Sequence, residues 1–273
     1  GDGAGADLSQ LELGWKALKV NACPAPRPRT QAAAYWFKFS EDSSRPSTTG
    51  KGSAAASGLQ DTGTQMVNAT KLPVTTNVDA MTMADTMFGS SIKVVSASYT
   101  GDPLSAGTYS DGLSVTNGVA PSDSGVILST GKATSFTNAK GEANQTASKS
   151  YDSEGEENDQ DLNDVAGAKT YDAAIFESKF VPQGSVLTMQ VSFSSEEYLE
   201  YVDSGFNDAV GVWVNGEKAQ LTVGDGDISI DNINPNSNGN LYIDNAKDQF
   251  NTEMDGFTVT LTLKANVVPG QVN

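Results

Sequence analysis

Histidine is absent from the 273 residues, and cysteine occurs once, as Cys23. Without histidine the chain cannot run Ser-His-Asp or Cys-His nucleophilic chemistry, nor build a histidine-ligated zinc or iron site. A single cysteine makes no internal disulfide and no cysteine-rich zinc site. Any metal held here must therefore be held by oxygen, which selects hard cations and calcium above all. Arginine is scarce: Arg27, Arg29 and Arg45 are the three in the chain. Lys and Arg together number 17 against 34 Asp and Glu, for a formal net charge of -17. Such a surface repels nucleic acid and anionic membranes and attracts divalent cations. No run of about 20 apolar residues occurs, so no membrane-spanning helix is expected. The start, GDGAGADLSQ, lacks the basic and apolar regions of a secretory leader; either a leader has been removed or export uses another signal.

The chain changes character near residue 60. Residues 1–60 hold all three arginines, four lysines and two of the three tryptophans, whereas from Asp61 onward ten lysines face 29 acids. In the first segment Asp7 is placed to cap a short helix burying Leu8, Leu11, Trp15 and Leu18. The prolines of "CPAPRPRT" end any helix. "YWFKFS" (35–40) alternates as a strand with Tyr35, Phe37 and Phe39 on one side, and "SSRPSTTGKGSAAASG" (43–58) has the composition of a flexible linker. Residues 1–60 thus read as an irregular arm and linker without a fold of their own, and 61–273 as the domain.

Within 61–273 the hydrophobic period is mostly two. One short helix is expected at "DAMTMADTMFG" (79–89), capped by Asp79, with Ala80, Met83, Ala84 and Met87 on one face. Strands are expected at 92–99, 125–129, 173–180, 186–194, 209–214, 218–223 and 257–268. In the last, Phe257, Val259, Leu261, Leu263, Ala265 and Val267 share one side and Thr258, Thr260, Thr262 and Lys264 the other. Asn215-Gly216 marks a tight type I′ hairpin. Residues 137–167 form a long acidic loop, whose end, "DQDLNDV", resembles calcium-loop spacing without the glycine or terminal Glu of an EF-hand. The expected fold is all-β, an antiparallel β-sandwich of the jelly-roll kind.

The ordered set "GVILSTGKA" (125–133), "DQDLNDVAG" (159–167), "TYDAAIFESKFVP" (170–182), "VSFSSEEYLEYVDSGFNDAVGVWVNG" (191–216), "IDNINPNSN" (230–238) and "FNTEMDGFTVTLT" (250–262) resembles the choice-of-anchor L domain of bacterial exported proteins. The resemblance covers roughly residues 65–273. It implies an extracellular, cell-surface module with no established enzymatic activity. The family domain runs on past "VPGQVN" into further strands, so an open sheet edge is expected here. The strand-like residues 32–40, with Tyr35, Phe37 and Phe39, are candidates to fill it, from this copy or a neighbouring one.

The densest chemistry lies in "SFSSEEYLEYVDSGFNDAVGVWVNG" (192–216). Three readings compete. A calcium ion could be held by Glu196, Glu197, Asn207 and Asp208 across the turn. The same acids could instead bond to loop amides and pin them. Catalysis by paired carboxylates, as in a glycoside hydrolase, fits worse, because adjacent residues of a strand point to opposite faces. A second acidic cluster contains Asp225, Asp227 and Asp231, and a third spans 243–256. Asn68-Ala-Thr70 and Asn144-Gln-Thr146 are sequons, chance matches in a bacterial chain. The expected role is a structural or adhesive surface module, non-enzymatic, calcium-stabilised and a subunit of a surface fibre. Its partners would be copies of itself or neighbouring surface proteins. The alternative is a calcium-dependent carbohydrate-binding module with glycan partners, against which Trp213 counts, since it sits inside an apolar strand.

Overall fold

The computed structural model describes residues 17–22, 33–41, 66–88, 92–146, 151, 153–205 and 207–273, the first two segments as backbone. The strands are β1 (Ala17–Ala22), β2 (Ala33–Glu41), β3 (Val74–Thr76), β4 (Lys93–Thr100), β5 (Ala106–Tyr109), β6 (Gly125–Ser129), β7 (Tyr171–Val181) and β8 (Val186–Ser195). They continue as β9 (Ala209–Gly211), β10 (Trp213–Val214), β11 (Glu217–Lys218), β12 (Gln220–Leu221), β13 (Ile228–Ser229), β14 (Tyr242–Asp244), β15 (Gly256–Thr258) and β16 (Leu261–Asn266). Among the described residues three α-helices join them: α1 (Ala80–Phe88), α2 (Gly112–Val115) and α3 (Gln160–Ala166). Every strand pairing is antiparallel, so the chain is all-β.

Two sheets share one apolar core. The smaller runs β13-β9-β1-β7-β4; the larger runs β12-β16-β8-β2-β6-β5-β3, with β15 also on β8 and β14 on β15. Ala174, Phe176 and Phe180 of β7 fall in one cluster with Met189, Val191 and Phe193 of β8. The strand period explains the division of labour. On β7 the alternate residues Ala173 and Ile175 pack instead with Leu162 of α3. Helix α1 closes part of the main core with Met83, Ala84, Met87 and Phe88, and the rings of Phe88 and Phe180 lie 5.0 Å apart. Asp79 caps α1 through the amide of Thr82 at 2.9 Å.

Several local features differ from the sequence expectation for physical reasons. The end of the acidic loop is helix α3: Asp159 caps it by accepting from Leu162 N at 3.1 Å, and Gly167 ends it at φ 70°. Of the acids that looked like calcium-loop spacing, Asp159 and Asp161 thus serve a helix N-terminus, and Asp164 accepts from Gln160 Nε2 within the helix. The strand expected at 257–268 is split at Val259, whose amide donates to Leu241 O at 2.9 Å. Thr258, placed on the wet side by alternation, is buried and accepts the amide of Phe193 at 3.0 Å. Residues 33–41 form β2 in the middle of the larger sheet, and Tyr35, Phe37 and Phe39 lie on it. The helix expected from Asp7 lies outside the described residues except at Leu18, which is in β1; the linker at 43–58 lies outside them entirely.

Asn215 and Gly216 both take positive φ, 52° and 81°, between the paired residues Val214 and Glu217, giving the two-residue turn. Val212 and Val214 enter the main core, while Trp213, half-buried, packs on the opposite side against the residues of α3 and β7. That ring lies on Gly211: a Cβ there would sit 2.2 Å from it. Gly211→Ala should therefore cost about 1–3 kcal/mol, and Trp213→Ala an amount near the lower end of about 3–5 kcal/mol, because the ring is half-buried. In urea unfolding the double variant should cost clearly less than the two single losses together. Additive losses would show that ring and glycine do not share this contact.

Candidate functional site

Strand β8 of the larger sheet leads directly, through residues 196–208, into β9 of the smaller one. This crossing carries the acids singled out by sequence. It is a turn with positive φ at Leu199, Asp203 and Gly205. Glu196 and Asp208 are fully buried, and Glu197 and Asn207 are 4% and 6% exposed.

Hydrogen bonds knit the turn to three other elements. Ser195 Oγ donates to Asp208 Oδ2 at 2.6 Å and accepts the amide of Glu197 at 2.9 Å. The Asn207 side chain donates to Ala166 O, at the end of α3, at 3.0 Å and accepts Asp231 N at 3.1 Å. Asp208 O accepts Ile230 N at 3.1 Å, and Asp231 Oδ1 accepts Asp203 N at 2.7 Å. Asn207 is thus committed through both ends of its amide to backbone groups. Tyr198 lies beneath the turn, its ring 4.8 Å from Tyr242 and 5.9 Å from Phe193. It packs on Gly256, where a Cβ would lie 2.8 Å from it.

The electrostatics are costly. Glu197 Oε2 is buried with no hydrogen-bond partner, and so is the Tyr198 hydroxyl. Burial, then the neighbouring Asp208 and Asp231 carboxylates, push the Glu197 carboxyl far above the ordinary carboxylate range. Burial raises Asp231 as well. Of the four residues expected to hold a cation, Glu197 and Asp208 are brought together, Asn207 is a backbone bridge, and Glu196 is buried beside them in sequence. Among the described residues no three Asp, Glu, His or Cys side chains form a metal-holding group.

The second cluster is dispersed. Asp227 pairs with Lys218, and the Asp225 carbonyl accepts the Asn232 side chain at 2.7 Å. Asp231 instead joins the turn of Glu197. The third acidic run contains a residue that the spacing did not single out. Glu253 is fully buried and accepts from Gln145 N at 3.0 Å, Thr146 N at 3.1 Å, the Thr146 hydroxyl and the Asn138 amide. It pins the acidic loop, and the second sequon with it, since Asn144 Nδ2 donates to Asp255 Oδ1 at 2.6 Å. Asp255 is pushed up to about 6, first by burial and then by Glu200, Glu253 and Asp244. Ser195, which holds both Asp208 and Glu197, was the other omission; a serine beside two glutamates carries no signal of its own in sequence.

A pH dependence follows. The folded-state pKa of Glu197 lies above its unfolded value of about 4.3, so between the two the folded chain holds a proton the unfolded chain has lost. Metal-free stability should then be fullest below pH about 4.3 as far as Glu197 is concerned, and should decline as pH rises above it. Glu197→Gln should flatten that decline between pH 5 and 8 in denaturant titrations with chelator present. An unchanged slope would show that Glu197 carries no such shift.

The family model described as choice-of-anchor L domain matches residues 55–273. No curated protein and no solved structure matches the chain. The match includes β3 to β16, the acid-rich crossing and its Glu253 counterpart, and it marks a surface-associated module. No helix among the described residues is long and apolar enough to cross a membrane. Spanning most of the sequence, the match makes this chain a member of the choice-of-anchor L domain family.

Proposed function

We propose that the chain is an extracellular structural module of the bacterial cell surface, in which a calcium ion neutralises the Glu197–Asp208 pair and fixes the crossing between the two sheets. The observation that carries this reading is the buried Glu197 Oε2, without a hydrogen-bond partner and set beside Asp208 and Asp231. An uncompensated buried carboxylate costs several kcal/mol, so it is protonated or meets a cation. Among the residues whose side chains are described, no lysine is buried. The donor set is all oxygen, which fits calcium. With two carboxylates the ion would complete its six to eight ligands from hydroxyl, backbone or water oxygens. A site so made matches the weak affinities of extracellular calcium modules, about 10⁻⁴ to 10⁻³ M.

A structural role suits the rest of the molecule. Trp213, the tryptophan a sugar-binding reading would use as a platform, is packed against α3 and β7. Glu196 and Glu197 are too buried to meet a polymeric substrate, which supports the non-enzymatic reading. Partners are then other copies or neighbouring surface proteins, associating at a surface where net charge keeps the free chains apart.

Thermal unfolding tests the calcium assignment. At millimolar calcium a site of this affinity adds on the order of 1 kcal/mol, or about 2–4 °C in Tm for a domain of this size. The wild type should gain this shift over chelator, while Glu197→Gln and Asp208→Ala should not. A wild-type Tm indifferent to calcium would contradict the assignment.

A further inference from the structure

Strands β1 and β2 precede residue 55, where the family match begins, yet each lies inside a sheet. β2 pairs with β8 from Ala33 opposite Ser195 to Glu41 opposite Leu187, and with β6 from Ala34 opposite Ser129 to Phe37 opposite Val126. β1 pairs with β7 from Ala17 opposite Phe176 to Ala22 opposite Tyr171, and with β9 from Lys19 opposite Gly211 to Asn21 opposite Ala209. All four bordering strands lie within residues 125–211. The matched region by itself therefore contains two slots, each flanked by two strand edges facing one another. Buried backbone N–H and C=O groups must find partners, and an unpaired edge recruits a strand. Some strand has to occupy each slot.

That requirement does not tie the strand to its own copy. Between Glu41 and Met66 lie 24 residues, a contour length of about 80 Å at about 3.3 Å per residue. A domain of this size is about 40 Å across, so a connection of that length is enough to carry β2 to a neighbouring copy. The slot beside β7 also takes backbone from two distant parts of the chain. Asn273 and Phe180 exchange backbone hydrogen bonds at 2.8 and 3.2 Å. Phe180 faces Val94 of β4 across its other edge, so Asn273 lies on the edge of β7 that also receives β1.

We infer that this pair of slots is a strand-acceptor site whose partner is strands β1 and β2 of a second copy of the chain. The inference rests on reading the chain as a self-associating surface module and names the contact. Exchange conserves every backbone pairing, so concentration decides between the two forms: dilute chains fill their own slots, crowded chains each other's. One-way donation from copy to copy does not close on itself and builds a filament, whereas reciprocal donation builds a dimer.

Disulfide trapping in the full-length chain, with Cys23→Ser, tests this. Lys38 and Gln190 are opposed across β2 and β8, and Gln190 is exposed. Chains carrying Lys38→Cys and chains carrying Gln190→Cys, unfolded in urea, refolded together and oxidised, should give a mixed disulfide whose yield rises with protein concentration. A chain carrying both substitutions should shift from a self-closed monomer to dimers or a ladder of multimers as concentration rises. Replacing Gln190→Cys by Asp225→Cys, outside the slot, should abolish the mixed disulfide. Ser40→Cys with Thr188→Cys, the next opposed pair on that face, repeats the test should the first pair impair folding. Only self-closed monomers at every concentration, or no disulfide in either doubly substituted chain, would overturn the inference. A calcium-dependent Tm shift retained in a chain that never exchanges would leave the structural reading standing and remove only this partner.

Discussion

The burial of carboxylates at the one place where the chain steps from β8 of the larger sheet to β9 of the smaller governs much of this molecule. Ser195 orients Asp208 there and receives the Glu197 amide, Asn207 ties the turn to α3 and to Asp231, and Tyr198 fills the space beneath. Each bond joins elements that would otherwise be free to shift against one another. Removing two carboxylates from water is unfavourable, and their mutual repulsion adds to the cost. A cation bound there, as proposed, would return that cost as rigidity, because the ion could be held only when β8, β9 and the Asp231 turn are all in place. The same residues would serve poorly as a catalytic pair, since burial denies them a substrate.

The high acid content has a second, less conspicuous explanation. Asp79 and Asp159 cap helices, and Glu253 gathers the amides of 145 and 146. Asp102 holds Leu104 N, Glu154 N and the Tyr151 hydroxyl. In a chain with so few strands longer than ten residues, connections must be fastened individually, and a carboxylate accepting two or three amides does so compactly. What composition presents as a solvated acidic surface is in part a set of internal fasteners.

How far the fold could be read in advance varied with the range of the interaction responsible. Local signals were sufficient for α1, whose apolar spacing and Asp79 cap are both realised, for the Asn215-Gly216 turn, and for the strands at 125–129 and 186–195. Val212 and Val214 lie on the side of the strand opposite Trp213, as strand alternation requires. Alternation failed where a distant group decided the outcome. Thr258 is buried because Phe193 N requires an acceptor, and the strand breaks at Val259 because Leu241 O claims its amide. At the site, the crowding of acids was visible, but Asp231 was grouped with Asp225 and Asp227 by proximity in sequence, whereas the chain folds it against Asp203. The dual role of Ser195 and the buried position of Glu253 depend on contacts across 13 and 107 residues, respectively.

Calcium titration by isothermal calorimetry on the full chain addresses the central claim most directly. At neutral pH the account predicts saturable binding near Glu197 and Asp208 with a Kd of about 10⁻⁴ to 10⁻³ M, lost in Glu197→Gln and retained in Asp225→Ala. Heats no greater than those of dilution, or equal binding by Glu197→Gln, would contradict it.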